Sequence, residues 1–147
     1  MLFSLEVIKI VKNKKGSAEI IAFLLILPFL LLPLFNSLQN YIALNRSDAL
    51  KQVTRLAILR AETDGGLTPD DVTEIMNTLK MKGFDTSKVH IDYTPAPVNY
   101  GGEVSVRIQY NTQITSFTIG LGGLMKNVQN ITMAYGPITS VSKHYQR

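Results

Sequence analysis

Three groups of residues carry types and spacings that could take part in chemistry. Asp70 and Asp71 are adjacent carboxylates, the pattern of a metal ligand pair or an acid/base couple. They follow Thr68-Pro69, so they also read as acids in the first turn of a helix, where the dipole favours them without any metal. His90 and Asp92 lie two apart in an alternating stretch, which puts both on one strand face. That face could support proton transfer, or it could be an ordinary solvated surface. The third group is Lys14-Lys15-Gly16-Ser17-Ala18-Glu19, which runs directly into Ile20–Phe35. This is not a catalytic constellation. It has the form of a peptide bond presented for cutting, with a basic flank before it and an apolar run after it.

Other chemistry lacks its residues. The chain has no cysteine, which removes disulfides, thiolate metal sites, cysteine nucleophiles and a lipoprotein anchor. His90 and His144 are far apart and lack metal-ligand spacing with other residues. No G-x-S-x-G, HExxH or GxGxxG occurs, and no lysine-serine or lysine-threonine pair follows the glycines at 120–123. We therefore expect no enzyme, no catalytic residue, no metal and no cofactor.

The net charge of +4 suggests nucleic acid until its distribution is considered. Lys9, Lys12, Lys14 and Lys15 stand against Glu6 alone in residues 1–16, and the remainder is nearly balanced. The basicity sits beside the apolar run, as on the cytoplasmic flank of a membrane segment. It does not form a basic patch on a folded face, so no nucleic-acid partner is expected.

The apolar core from Ile20 to Phe35 is slightly short for a full span. Taken from Ser17 to Gln39 it reaches roughly 34 Å at 1.5 Å per residue, enough to cross a bilayer. Pro28 and Pro33 deprive the carbonyls of Leu24 and Phe29 of their usual helical donors, which predicts a kink or loosened turn there. A secretory signal would need a small-x-small site after the run, but Asn36-Ser37-Leu38-Gln39 follows. Cleavage after Gly16 would make Ser17 the new terminus at the mouth of the segment. Glu19 would then fall in the first helical turn. There it either answers the helix dipole at headgroup level or pairs with a freed amine on a neighbouring copy.

This head resembles the class III leader of the type IV pilin superfamily. It is most similar to the TadE-like pseudopilins of tight-adherence pili and related export or conjugation machines. The resemblance rests on Lys14 through Glu19, then Ile26-Leu27-Pro28 and the leucine-rich run, about 25 residues in all. It implies that a prepilin peptidase cuts between Gly16 and Ser17, with Lys12, Lys14 and Lys15 as leader charge. It implies that Glu19 assists subunit registration, although the family acid commonly lies two positions further from the cut. The implied partners are the lipid bilayer, the peptidase, an assembly ATPase, a membrane platform and other pilin-like subunits. The implied location is a bacterial cytoplasmic membrane, crossed once with the N-terminus inside, and through assembly a pilus.

The elements around this head read as an α+β domain. The layout is a basic leader at 1–16, a transmembrane segment at 17–39 and an extracytoplasmic domain at 40–147. One long helix continues to about residue 63, with Leu38, Ile42, Ala49, Val53, Leu56 and Leu59 at roughly helical spacing. Asp64-Gly65-Gly66 ends it. A second helix spans 69–82, and strands follow at about 89–94, 103–114 and 128–135. The period slips near Thr115–Phe117, predicting a bulge or break. Gly136-Pro137 should end the third strand, leaving 138–141 as a short fourth in an antiparallel meander covered by helices. Between strands lies an apolar glycine-rich loop with Ile119, Leu121, Leu124 and Met125. It is either a contact surface or a loop whose leucines enter the core. The reading favoured is a processed prepilin-like subunit. The alternative is an uncleaved single-pass anchor whose envelope domain binds a partner.

Overall fold

The computed structural model describes residues 2–145, with side chains from Gly16 onward. The elements in order are α1 (Leu2–Asp64), α2 (Pro69–Met81), a single 3-10 turn (Thr86–Lys88), β1 (Val89–Tyr93), β2 (Glu103–Gly120) and β3 (Gly123–Val141). The fold is α+β, with a three-stranded sheet in the order β1-β2-β3. Its residues divide into two compact units. The first takes the chain up to Leu38 together with Ser116–Asn127; the second takes Gln39–Thr115 and the chain from Val128.

The second unit is built on an ordinary core. Leu50, Val53, Thr54, Ala57, Ile58 and Ala61 form the buried face of α1. They recur at three- and four-residue spacing, the row that faces one side of a helix. Val104, Val106, Ile108 and Tyr110 of β2, Ile75 and Leu79 of α2, and Leu67 and Phe84 complete the cluster. Phe84 meets Tyr110 edge to face with centroids 4.9 Å apart. The face is turned from the one expected: Leu56 and Leu59 point outward, at 63% and 55% exposure. The small residues Ala57 and Ala61 and the self-satisfied Thr54, whose hydroxyl donates to the Leu50 carbonyl at 2.8 Å, let the sheet approach more closely than leucines would.

The termini of both helices follow local chemistry. Gly65, at φ +72°, carries α1 into its left-handed stop, and the Gly66 amide donates back to the Ala61 carbonyl at 2.7 Å. At α2, the Asp71 amide donates to the Thr68 hydroxyl while the Thr68 amide donates to the Asp71 carboxylate, a complete capping box. Strand β1 pairs antiparallel to β2 with Val89, Ile91 and Tyr93 opposite Tyr110, Ile108 and Val106. The alternation expected for these strands is therefore the one observed.

Three boundaries differ from expectation. Strand β2 does not break at Thr115–Phe117; it continues to Gly120, although its regular in-out alternation is lost there. Backbone pairing does not require that side chains keep one parity of hydrophobicity. Strand β3 continues through Gly136-Pro137 to Val141, so there is no separate fourth strand. Gly136 takes φ +97°, and β3 is an edge strand, where proline's missing donor is tolerated. The segment 119–125 is not an open loop. It is the end of the β2–β3 hairpin, closed by the two residues Leu121-Gly122. A two-residue connection between antiparallel strands favours glycine, and this stretch supplies several.

Candidate functional site

The first unit holds the junction and the apolar segment. Gly16, Ser17 and Glu19 lie exposed within α1. A side-chain carbon added at Gly16 would meet nothing within 4 Å. The side chains of Lys12, Lys14 and Lys15 lie outside the described residues. From Gly16 onward α1 is long and apolar enough to cross a membrane, and none of its most apolar window is buried by protein. Ile20, Phe23, Leu25, Leu30 and Leu34 are all more than half exposed. A water-soluble helix leaves only one stripe unburied and makes that stripe polar. Here the large aliphatic residues point in every direction.

Pro28 and Pro33 lie inside α1, which stays helical through both. Pro28 is on the side facing the hairpin tip of the same unit. Together with Leu24, Leu31, Phe35, Phe117, Ile119 and Leu124 it lines an open apolar groove of about 540 Å³. Phe35 and Phe117 meet edge to face with centroids 5.1 Å apart. Beside them the Asn36 amide donates to the Phe117 carbonyl at 2.9 Å and accepts from the Phe117 N–H at 3.0 Å. A single side chain thus satisfies both backbone polar groups of one strand residue. None of Ile119, Leu121, Leu124 or Met125 joins the buried core of the second unit. Leu121 and Met125 are exposed, Leu121 completely.

Comparison with protein-family models, with curated proteins and with solved structures finds no match. The candidate site therefore rests on the geometry and the sequence alone. Its residues Asn36, Phe35 and Phe117 were not singled out by sequence. The signal was present: Asn36 is a polar residue at the end of an apolar run, and Phe117 is an aromatic residue at the point where strand parity slips.

The second unit contains the other candidate groups. His90 Nε2 and Asp92 Oδ1 are 2.9 Å apart on an exposed strand face, both side chains more than half exposed. Asp92 stands opposite Arg107 and His90 opposite Gln109 in the strand register. Asp70 is exposed, and Asp71 is engaged as the α2 cap. Burial pushes the Asp71 carboxyl up, but the Thr68 hydroxyl and amide and the nearby Arg60 charge together outweigh it and hold the group below its ordinary value. Arg60 also donates to Glu74 at 2.6 Å. Glu62, in the last turn of α1, accepts from the Ser140 hydroxyl and from Lys143 Nζ. The Ser140 bond first, then Lys143, hold its carboxyl below the usual range against a smaller upward push from burial. Among the described residues no group of three or more histidines, aspartates or glutamates is placed to hold a metal.

Proposed function

We propose that the chain is a single-pass membrane subunit of the prepilin-like type, cut after Gly16 and assembled through its apolar helix. The observation that carries the membrane half is the helix surface between Ile20 and Phe35. Its large side chains are exposed in all directions, and water penalises that at about 25 cal/mol for each square ångström left wet. A bilayer removes the penalty. The basic flank orients the segment with residues 1–16 in the cytoplasm. The processing half is supported by the order of Lys14, Lys15, Gly16, Ser17 and Glu19 and by their exposure from Gly16 onward. In this reading a prepilin peptidase, a membrane platform with its ATPase, and like subunits of a pilus, pseudopilus or related export machine are the partners.

Intact mass of the protein extracted from its native membrane tests the reading. The expected species begins at Ser17, and Gly16→Val leaves the full-length chain. A β carbon added at Gly16 meets nothing within 4 Å, and intact mass reads cleavage directly. A full-length wild-type chain, unchanged by Gly16→Val, would sink the processing claim and leave an uncleaved anchor with a partner-binding domain.

A further inference from the structure

We propose that residues 116–127, the tip of the β2–β3 hairpin, form a strap that closes on α1 outside a bilayer and lifts away when α1 spans one. The inference rests on the membrane reading of α1 and adds a conformational step to it. The structure shows the strap closed. Phe117 exchanges two hydrogen bonds with the Asn36 side chain and meets Phe35 edge to face. Ile119 and Leu124 line one groove with Leu24, Pro28 and Leu32, within a single compact unit. Closure thus occupies one side of the helix from Leu24 to Asn36, which is most of the outer half of the proposed span.

A closed strap and a spanning helix exclude one another. β3 is an edge strand, so alternate backbone N–H and C=O groups from Gly123 onward point away from β2 with no strand beyond them. Water serves such groups, but hydrocarbon does not, and the tip cannot follow Leu24 and Pro28 into the bilayer. The span cannot slide toward the N-terminus to avoid the strap. Between Ser17 and Phe23 the helix rises only about 10 Å, against a hydrocarbon core of ~30 Å. Reaching further back would bury Lys9, Lys12, Lys14 and Lys15. Outside a bilayer the balance reverses. The groove residues would face water, and Phe117, Ile119 and Leu124 cover part of that apolar side, in a tip whose one charged residue is Lys126. The hinge has a place in the chain. The two compact units part at Thr115–Ser116 and at Asn127–Val128, and the strict in-out alternation of β2 is already lost before Ser116. None of these four residues belongs to the buried core. The hairpin lifts as a paired unit, giving up its contacts with α1 and leaving Val104–Tyr110 packed.

Site-specific photo-crosslinking of the full chain tests the strap. Leu124→p-benzoylphenylalanine reads the closed contact, and Leu30→p-benzoylphenylalanine reads the anchor; both side chains are exposed, so neither change disturbs the core. Each chain is made by cell-free translation, once without lipid and once with phosphatidylethanolamine/phosphatidylglycerol vesicles, from which the carbonate-resistant fraction is taken. After irradiation, mass spectrometry follows the adduct between tryptic peptides Ile108–Lys126 and Gly16–Arg46. Without lipid, position 124 is expected to link to the α1 peptide. In vesicles that adduct should fall at least about fivefold, while position 30 links to acyl chains. An undiminished α1 adduct in vesicles, with position 30 still linked to lipid, overturns the strap and leaves the anchor standing. A lipid adduct at position 124 also overturns it, because the tip would then lie in hydrocarbon. Absence of the α1 adduct without lipid overturns it too, since the closed state would not form. Absence of lipid adducts at position 30 overturns the anchor and this inference with it.

Discussion

Between Ile20 and Phe35, α1 leaves nearly all of its large apolar side chains exposed; between Leu50 and Ala61 the same helix buries a face of mixed large and small residues. Both stretches are apolar, so hydrophobicity does not separate them. What separates them is size pattern. A protein surface must be met closely, and Ala57, Ala61 and Thr54 provide the shallow positions into which β2 and α2 fit. A fluid of acyl chains imposes no such pattern, and the first stretch has none. The helix thus carries two apolar stretches of different pattern, and the alanines rather than the leucines mark the face that meets protein.

Leucine truncations should break the symmetry between the stretches most strongly. Leu79→Ala empties a fully buried site and is expected to lower unfolding stability in detergent by about 2–5 kcal/mol. Leu30→Ala removes a side chain that no protein surrounds and should cost less than about 0.5 kcal/mol by the same denaturant titration. Equal losses would mean that the apolar stretch is packed against protein after all.

Two glycines on and just beyond α1 give a smaller contrast. Gly65 has φ +72°, and an added carbon would sit 2.5 Å from the Val98 carbonyl oxygen, so Gly65→Ala should destabilise by about 1–3 kcal/mol. Gly16→Ala meets nothing and improves helix propensity, so its effect on the same titration should be neutral or favourable by up to ~1 kcal/mol. Circular dichroism during urea unfolding distinguishes the two.

The smallest effect is acid sensitivity, confined to the second unit. The Asp71 and Glu62 carboxyls lie below their unfolded values, so the folded state binds fewer protons than the unfolded one. Their stabilisation is present above the ordinary carboxylate range near pH 4 and lost as pH falls through the folded values. Urea midpoints measured from pH 6 downward should therefore decline, and Asp71→Asn should flatten that decline. An unchanged acid limb in the variant would show that the cap carries no linked proton.

Much of this was legible beforehand because it depends on near neighbours. Thr68-Pro69-Asp70-Asp71 specifies its own cap, Gly65-Gly66 its own stop, and the alternation from Val104 to Tyr110 its own inward face. The rotation of the α1 face was not legible, because Leu56 and Ala57 exchange roles only when a sheet must approach. The continuation of β2 and β3 was hidden for a related reason. A parity slip at Thr115 and a proline at 137 look like ends locally, while pairing with the adjacent strand carries the chain through them. The sequence shows residues 119–125 as an apolar glycine-rich loop and leaves open whether its leucines are exposed or buried; the bond of Asn36 to Phe117 joins residues 81 positions apart and has no local signature.

That separation has a consequence for the order of events during synthesis. Asn36 leaves the ribosome well before Phe117, and at about 5–20 residues per second the interval is roughly 4–16 s. Helix formation takes about a microsecond, so α1 is complete long before its strand partner exists. For those seconds the Asn36 side chain is without the Phe117 backbone that it bonds in the finished fold. Arrival of the hairpin closes both bonds, so the contact between Asn36 and Phe117 is among the last that α1 makes.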